Sequence, residues 1–498
     1  MMAVISPNSP YEASETALSY AARLSFVHTG MTIRRLLEDL DLGRDRFLTG
    51  KPEAIESFAA DVGADPLQLS RGTVELLSRY GRFRGEDIST GFISTKVRKF
   101  CPQCLMEDGA REAWKHRLLW CFQHVDGCAV HGVRLAELAG SEKVCDLREV
   151  IEGRTALEAL NTTEPFSAPD WQTWLSARLE GAADDPWLAD HTIEQVVAAS
   201  EMIGAVLGHG QQIRLRSLSR QERSDAVERG FSYYREGQGG VMAALDEIQA
   251  RSSARAVQAG PLAVYGRLYD WLEGGAKLID PGPIRPLLRD RILSHIPMAK
   301  GERLLGEEVT ERRLHSVVSL GETLGIHRKR LTRLLAKLGL APEGASDAET
   351  GLLTFPVGEV EELQKDVAHA IPYEEVANHL GASIRQVQML YGAGMIMPLF
   401  PPAGAGSVRR LVFARRHLDA FLNQVSRADV LDGDVGDDFV SIAVACQRIG
   451  MMTPDLVDAV FTGRIQGWRD PSLSGLAALK VRLDDVRSLK AATEIRAA

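Results

Sequence analysis

Two short gapped pairs of metal-binding side chains constrain this chain more than any other feature. Cys101-Pro-Gln-Cys104 is a CxxC knuckle, and Cys128-Ala-Val-His131 is a CxxH knuckle close behind it. A two-residue gap lets both donors of a pair face one ion. Three thiolates and one imidazole then close a tetrahedral site with no position left for water. The expectation is therefore one structural zinc ion, held by Cys101, Cys104, Cys128 and His131. Cys121-Phe-Gln-His124 has the same CxxH spacing and is an alternative second pair. The later pair is preferred because Gly127 and Gly132 flank it and suit a turn. Cys145 reads as a free thiol, and Cys446 stands alone.

The C-terminal part carries an internal repeat anchored on Gly325, Gly381 and Gly450. An apolar residue precedes each anchor (Leu324, Leu380, Ile449), and a small one lies four before it (Gly321, Ala377, Cys446). Apolar positions recur six after it (Leu331, Val387, Leu456) and fifteen after it (Leu340, Ile396, Ile465). Phe355, Phe413 and Val481 follow about 30 residues on. Each unit reads as helix, tight glycine turn, second helix, loop or wing, and closing helix, the layout of a winged helix-turn-helix. Asp429 to Asp438 reads as a linker between the second and third units.

Elsewhere the apolar period is helical. Glu15 to Ser25, Met31 to Leu40 and Val74 to Tyr80 are expected helices near the start. Trp171 to Leu179, Ile193 to Leu207, Arg220 to Glu236 and Val241 to Ala250 follow. Glycine-rich breaks at 208–210 and 237–240 are expected to separate them. The 498 residues are 45% hydrophobic and 25% charged, so there is enough apolar mass for several cores. Residues 1–11 carry neither a basic start nor an apolar stretch, and no 18-residue apolar run exists. A cytoplasmic location and no membrane partner are expected.

The net charge of −9 argues against coating nucleic acid by bulk charge. Local charge differs. Between His327 and Leu340 lie five cations (Arg328, Lys329, Arg330, Arg333, Lys337) and no acid. They fall on the second helix of the first repeat, opposite an apolar stripe of Leu331, Leu334, Leu335 and Leu338. That helix is the one that enters the major groove in helix-turn-helix proteins. The competing reading is a solvated charged face. The second repeat offers Arg385, with Arg409, Arg410, Arg415 and Arg416 around its wing. The third carries Asp455 and Asp458 there and is the weakest DNA candidate.

No GxxxxGK[ST], HExxH or GxSxG pattern occurs, so no catalytic residues are assigned and no enzyme is expected. A zinc hydrolase or nuclease is the least favoured alternative.

Leu18-Ser19-Tyr20-Ala21-Ala22-Arg23-Leu24 resembles the opening helix of TniQ/TnsD proteins. Phe100-Cys101-Pro-Gln-Cys104-Leu-Met-Glu-Asp108-Gly109 resembles their first zinc knuckle. Arg117-Leu-Leu-Trp120 and Cys128-Ala-Val-His131-Gly132-Val133-Arg134-Leu135 resemble the second half. The resemblance covers residues 11–140; Tyr20 stands where the family commonly has Trp. It implies an accessory protein of transposition with no transposase active site, which selects or marks target DNA. It further implies links to an AAA+ ATPase and, indirectly, a DDE transposase. Some members of the family dock on RNA-guided complexes instead.

The expected fold is mainly α and multidomain: a small zinc-knuckle module, a helical domain and tandem winged helix-turn-helix units with minor β. Expected boundaries are 1–95, 96–140, 141–305, 306–368, 369–428 and 437–498. The expected function is a DNA-binding adaptor of transposition; the alternative is a zinc-containing helix-turn-helix transcriptional regulator. Double-stranded DNA is the expected direct partner, with a homodimer left open.

Overall fold

The computed structural model describes residues 5, 9–138, 146–149, 151–254, 260–275, 279–400, 411–431 and 438–497. It is mainly helical with short strands, and it divides into two compact units, Met1–Glu311 and Arg312–Ala498.

The first unit opens with α1 (Ala17–Thr29), α2 (Ile33–Asp39), α3 (Arg44–Leu48), α4 (Pro52–Val62) and α5 (Pro66–Arg71). They enclose a core that includes Tyr20, Leu24, Leu37, Phe47 and Phe58. The expected helix at Val74 to Tyr80 is instead a strand. β1 (Val74–Leu76), β2 (Tyr80–Phe83) and β3 (Glu86–Ser89) form an antiparallel meander. Residues 80–89 supply the hydrogen-bonding partners that draw Val74 into a sheet.

The cysteine segment holds β4 (Lys99–Phe100), α6 (Pro102–Asp108), β5 (Gly127–Cys128), β6 (Val133–Arg134) and β7 (Ala136–Glu137). Helices α7 (Arg154–Ala159), α8 (Asp170–Glu180), α9 (Pro186–Ala189) and α10 (Ile193–His209) follow, then α11 (Arg220–Tyr234) and α12 (Gly237–Arg251). The unit closes with α13 (Pro261–Tyr265), α14 (Arg267–Asp270), α15 (Ile284–His295) and the hairpin β8 (Arg303–Leu304) and β9 (Glu307–Glu308).

Helix α10 begins in a capping box between Thr192 and Gln195. Its Gly204 faces the Ala226 carbonyl of α11, and Gly230 of α11 faces the Ser200 carbonyl. A Cβ on either glycine would sit 1.8 Å from that oxygen, so the two backbones approach as closely as glycine permits. The expected breaks separate the helices: α10 ends at His209 with Gly210 as its C-cap, and α11 and α12 part just before Gly237, whose φ is 77°, although Gly239 and Gly240 lie inside α12. One contiguous apolar cluster runs from Val74 to Val309, so the cysteine segment and the helices after it share a core.

The second unit shows the repeat element by element. The first copy is β10 (Leu314–Ser316), α16 (Val317–Leu324), α17 (Arg328–Lys337), α18 (Asp347–Thr350), β11 (Thr354–Pro356) and α19 (Val357–Ala368). The second is β12 (Ile371–Pro372), α20 (Tyr373–Leu380), α21 (Ile384–Gly392), β13 (Val412–Phe413) and α22 (Arg415–Ser426). Strand β14 (Asp429–Val430) precedes the third copy: β15 (Phe439–Ser441), α23 (Ile442–Ile449), α24 (Thr453–Phe461), β16 (Trp468–Arg469), β17 (Leu479–Arg482) and α25 (Leu483–Ala497).

In every copy the first strand pairs antiparallel with the last. His315 faces Phe355, Ile371 faces Phe413, and Val440 faces Val481. Each anchor glycine is left-handed, with φ of 64°, 58° and 71°. The next amide donates to the carbonyl of the small residue four before the anchor. These bonds are Ile326 to Gly321 (2.8 Å), Ala382 to Ala377 (2.9 Å) and Met451 to Cys446 (3.2 Å). That is a Schellman turn, which explains why the glycine and the small residue repeat together.

The copies are not equivalent. The first has its own core around Leu320, Leu331, Leu335 and Phe355. The second and third share one core, in which α21 packs on α24. The expected linker at 429–438 begins as β14, which pairs with β16 of the third copy; residues 432–437 lie outside the described set.

Candidate metal centre and cationic helix

Strand β4 delivers the chain to Cys101, the N-cap of α6, with Pro102 and Cys104 both in the first turn. Strands β5 and β6 pair Cys128 with Val133 across the second turn, and the Gly132 amide donates to the Cys128 carbonyl at 2.9 Å. The donor atoms of Cys101, Cys104, Cys128 and His131 all lie within 4.8 Å of one another. His131 Nδ1 stands 3.5 Å from Cys101 Sγ, 3.3 Å from Cys104 Sγ and 3.5 Å from Cys128 Sγ. Cys104 and Cys128 sulfurs are 3.6 Å apart.

These separations fit a tetrahedron around one ion. Metal–sulfur and metal–nitrogen bonds of about 2.3 and 2.0 Å imply edges of about 3.8 Å (S–S) and 3.5 Å (S–N). The thiols are too close to ionise independently. Hydrogen bonds from Cys101 and Cys104 push the Cys128 thiol down, while Cys104 is pushed up by its sulfur neighbours and by burial. A bound cation removes that conflict by stabilising all three thiolates together. His131 turns Nδ1 inward, and its Nε2 lies 3.0 Å from Glu107 Oε1, a partner that fixes the ring. The group could hold a metal ion.

The alternative pair goes elsewhere. Cys121 is buried against His116 (Sγ to Nδ1 3.6 Å), and burial raises its thiol to about 12. His124 Nε2 lies 3.2 Å from Glu201, whose other oxygen takes Arg223 at 2.7 Å. Cys145 lies outside the described residues.

Two supports were not assigned from the sequence. Lys99, next to the first knuckle, donates to the carbonyls of Phe122 and Gln123 at 2.9 Å each and to that of Val125, gathering the segment that leads into β5. The second is a buried lock on α1. Glu15 is fully buried and takes Arg23 at 3.0 Å and the Ser19 hydroxyl at 2.9 Å. The His116 amide donates to Ser19 Oγ at 2.8 Å, and the Leu118 amide to the Ser14 carbonyl at 2.7 Å. Ser19 thus ties the opening helix to the segment ahead of the second knuckle, while Arg23 holds Glu15 against that helix.

On α17 the side chains of Arg328, Lys329, Arg330, Arg333 and Lys337 are all exposed, while Leu331, Leu334 and Leu335 are buried and Leu338 is half-buried. Arg333 pairs with Asp347 at 3.2 Å; the other four form no ion pair among the described residues. Arg385 is exposed in the first turn of α21 beside Ile384. Arg415 is exposed, but Arg416 is spent on Asp366 at 2.8 Å. Arg409 and Arg410 lie outside the described residues. Helix α24 presents Asp455 and Asp458, and Asp458 pairs with Arg464. No helix among the described residues is long and apolar enough to cross a membrane.

No curated protein matches the chain. The TniQ family model matches residues 9–135, a span that contains the Glu15–Arg23 lock and all four clustered donors. Residues 9–135 thus form a TniQ-like region, which supports an association of the chain with transposition.

Proposed function

We propose that this chain is a zinc-containing, DNA-binding adaptor of transposition with no chemistry of its own. The observation that carries the reading is the TniQ match enclosing the three-sulfur, one-nitrogen cluster, with a cationic helix elsewhere in the same chain, four of whose five cations form no ion pair among the described residues. Zinc suits the donor set: it favours thiolate and imidazole in a closed four-coordinate site. When bound, it supplies cross-linking rather than catalysis, holding the two knuckles and the helices tied to them as one platform.

In this reading the second helix of the first repeat meets DNA. Arg328, Lys329, Arg330 and Lys337 supply positive charge that the acidic whole lacks, and Arg385 adds a second point of contact. Such a helix gains affinity from phosphates and specificity from bidentate arginine–guanine pairs. The burial of α21 against α24 and the acids on α24 argue for the third repeat as a brace of the second rather than a reader.

The adaptor role further means that an AAA+ ATPase binds the protein and a DDE transposase follows it. The test is co-purification: the full chain, retrieved from its host with and without nuclease, should bring down an AAA+ ATPase. Recovery of DNA with no ATPase, concentrated at one promoter, would instead favour a transcriptional regulator.

A further inference from the structure

A groove of about 480 Å³ opens beside the cysteine cluster and is lined in part by Cys104 and Cys128. Leu119, Leu179 and Val130 supply its apolar surface, with the buried Trp120 behind them in its wall. Val130 stands at the tip of the CxxH turn and is 80% exposed. A single exposed valine is ordinary, but this one continues an apolar groove, and contiguous apolar surface marks docking sites.

Arg71, Arg84 and Arg117 also line the groove. Arg117 is held by Asp108 at 2.7 Å. Arg71 and Arg84 have no carboxylate in ion-pairing distance among the described residues. Arg84 donates only to main-chain oxygens, those of Arg71 (3.1 Å) and Leu179 (2.8 Å). Burial and the neighbouring Arg71 charge push its guanidinium below the ordinary arginine value. Its backbone is left-handed too, with φ of 52° in the two-residue Arg84-Gly85 turn of the β2–β3 hairpin. Asn, Asp or Gly fill that position at least cost. The fold thus holds two neighbouring guanidinium groups, neither with a carboxylate in ion-pairing distance among the described residues, at the rim of an apolar groove. One acid, Glu180, lines the same groove, and it takes the Ser176 hydroxyl at 3.2 Å.

We propose that this groove docks a peptide segment of a partner protein, with a large apolar side chain against Leu119, Leu179 and Val130 and an adjacent carboxylate on Arg71 and Arg84. A carboxylate satisfies both guanidinium groups, and the apolar surface gains from the neighbouring side chain. Duplex nucleic acid meets only half of these demands, because its backbone offers phosphates but nothing apolar for Leu119, Leu179 and Val130. The inference is independent of the DNA reading, since no residue of α17 takes part.

The test is selection of a random dodecapeptide display library on the full chain. The expected result is enrichment of peptides pairing an acid with a neighbouring large apolar residue. Their binding should fall at least tenfold in Arg71→Glu and in Val130→Asp, both exposed positions whose substitution leaves the core intact. Binding should be unchanged in Arg328→Ala. No enrichment, enriched peptides lacking acids, or binding that survives both groove substitutions would overturn the proposal. Displacement of the peptides by a phosphodiester oligonucleotide would also overturn it, by assigning the groove to nucleic acid.

Discussion

His116 shows how far burial alone sets the behaviour of one residue. Its Nε2 bonds the Lys99 carbonyl at 3.0 Å, and burial pushes its imidazole down to about 4. An unfolded histidine protonates near 6.5. Between those two values the unfolded chain takes up a proton that the native chain refuses. The stabilisation is therefore complete above about pH 6.5 and is lost as pH falls toward 4, about 2 kcal/mol of it between pH 7 and 5. Urea unfolding across that range should show the first unit weakening with acid, and His116→Asn should flatten the slope. The Glu15–Arg23 pair makes a different demand. Glu15→Ala leaves Arg23 buried without its carboxylate and should cost about 3–5 kcal/mol. The four clustered donors were legible in the sequence because metal chemistry fixes both residue type and gap. The preference for Cys128/His131 over Cys121/His124 rested on Gly127 and Gly132, whereas the contact that occupies His124, Glu201 reaching it from α10, was not legible. Lys99 was equally hidden, because its bonds run to main-chain oxygens that any residue provides.

At the scale of the element, the repeat carries the argument. Its anchors were readable because a Schellman turn needs a left-handed residue and a close helix crossing at fixed offsets. The strand pair that closes each copy was less readable, its strands being only two to four residues long. Val74 to Tyr80 looked helical because its sheet partners lie outside the window that shows a period. The break at Gly237 was readable, but its reach was not: Gly240 already belongs to α12 and lets that helix press on the Tyr233 carbonyl, where a Cβ would come within 2.0 Å. The anchors themselves should differ in sensitivity. Gly325 has nothing within 4 Å of a built Cβ, so Gly325→Ala should cost only the left-handed penalty, about 1 kcal/mol. Gly381 would also meet the Ser474 carbonyl at 2.6 Å. Gly381→Ala should therefore unfold at clearly lower denaturant than Gly325→Ala, since it must also displace the third copy's backbone.

For the whole molecule, the two compact units have separate cores, and all four clustered donors lie in the first. Metal removal should then act on one unit. With chelator present, metal content should fall from about one ion per chain, and hydrogen exchange should accelerate around residues 99–137 while α16–α25 keep their protection. Equal acceleration in both units would show that the cluster is not a local cross-link. Charge also divides unevenly: a chain of net −9 carries an acid-free run of five cations on one exposed helix face. Binding by such a face is electrostatic and local, so it should be strongly salt-dependent despite the acidic whole.

The most direct test of that claim is duplex DNA affinity measured across a salt series for the full chain and for the Arg328→Ala/Arg330→Ala double variant. The account predicts weaker binding by the variant and a log–log salt slope reduced by about 1 for each phosphate contact removed. Equal affinity and an unchanged slope would mean that α17 is a solvated face and that DNA, if bound, is held elsewhere.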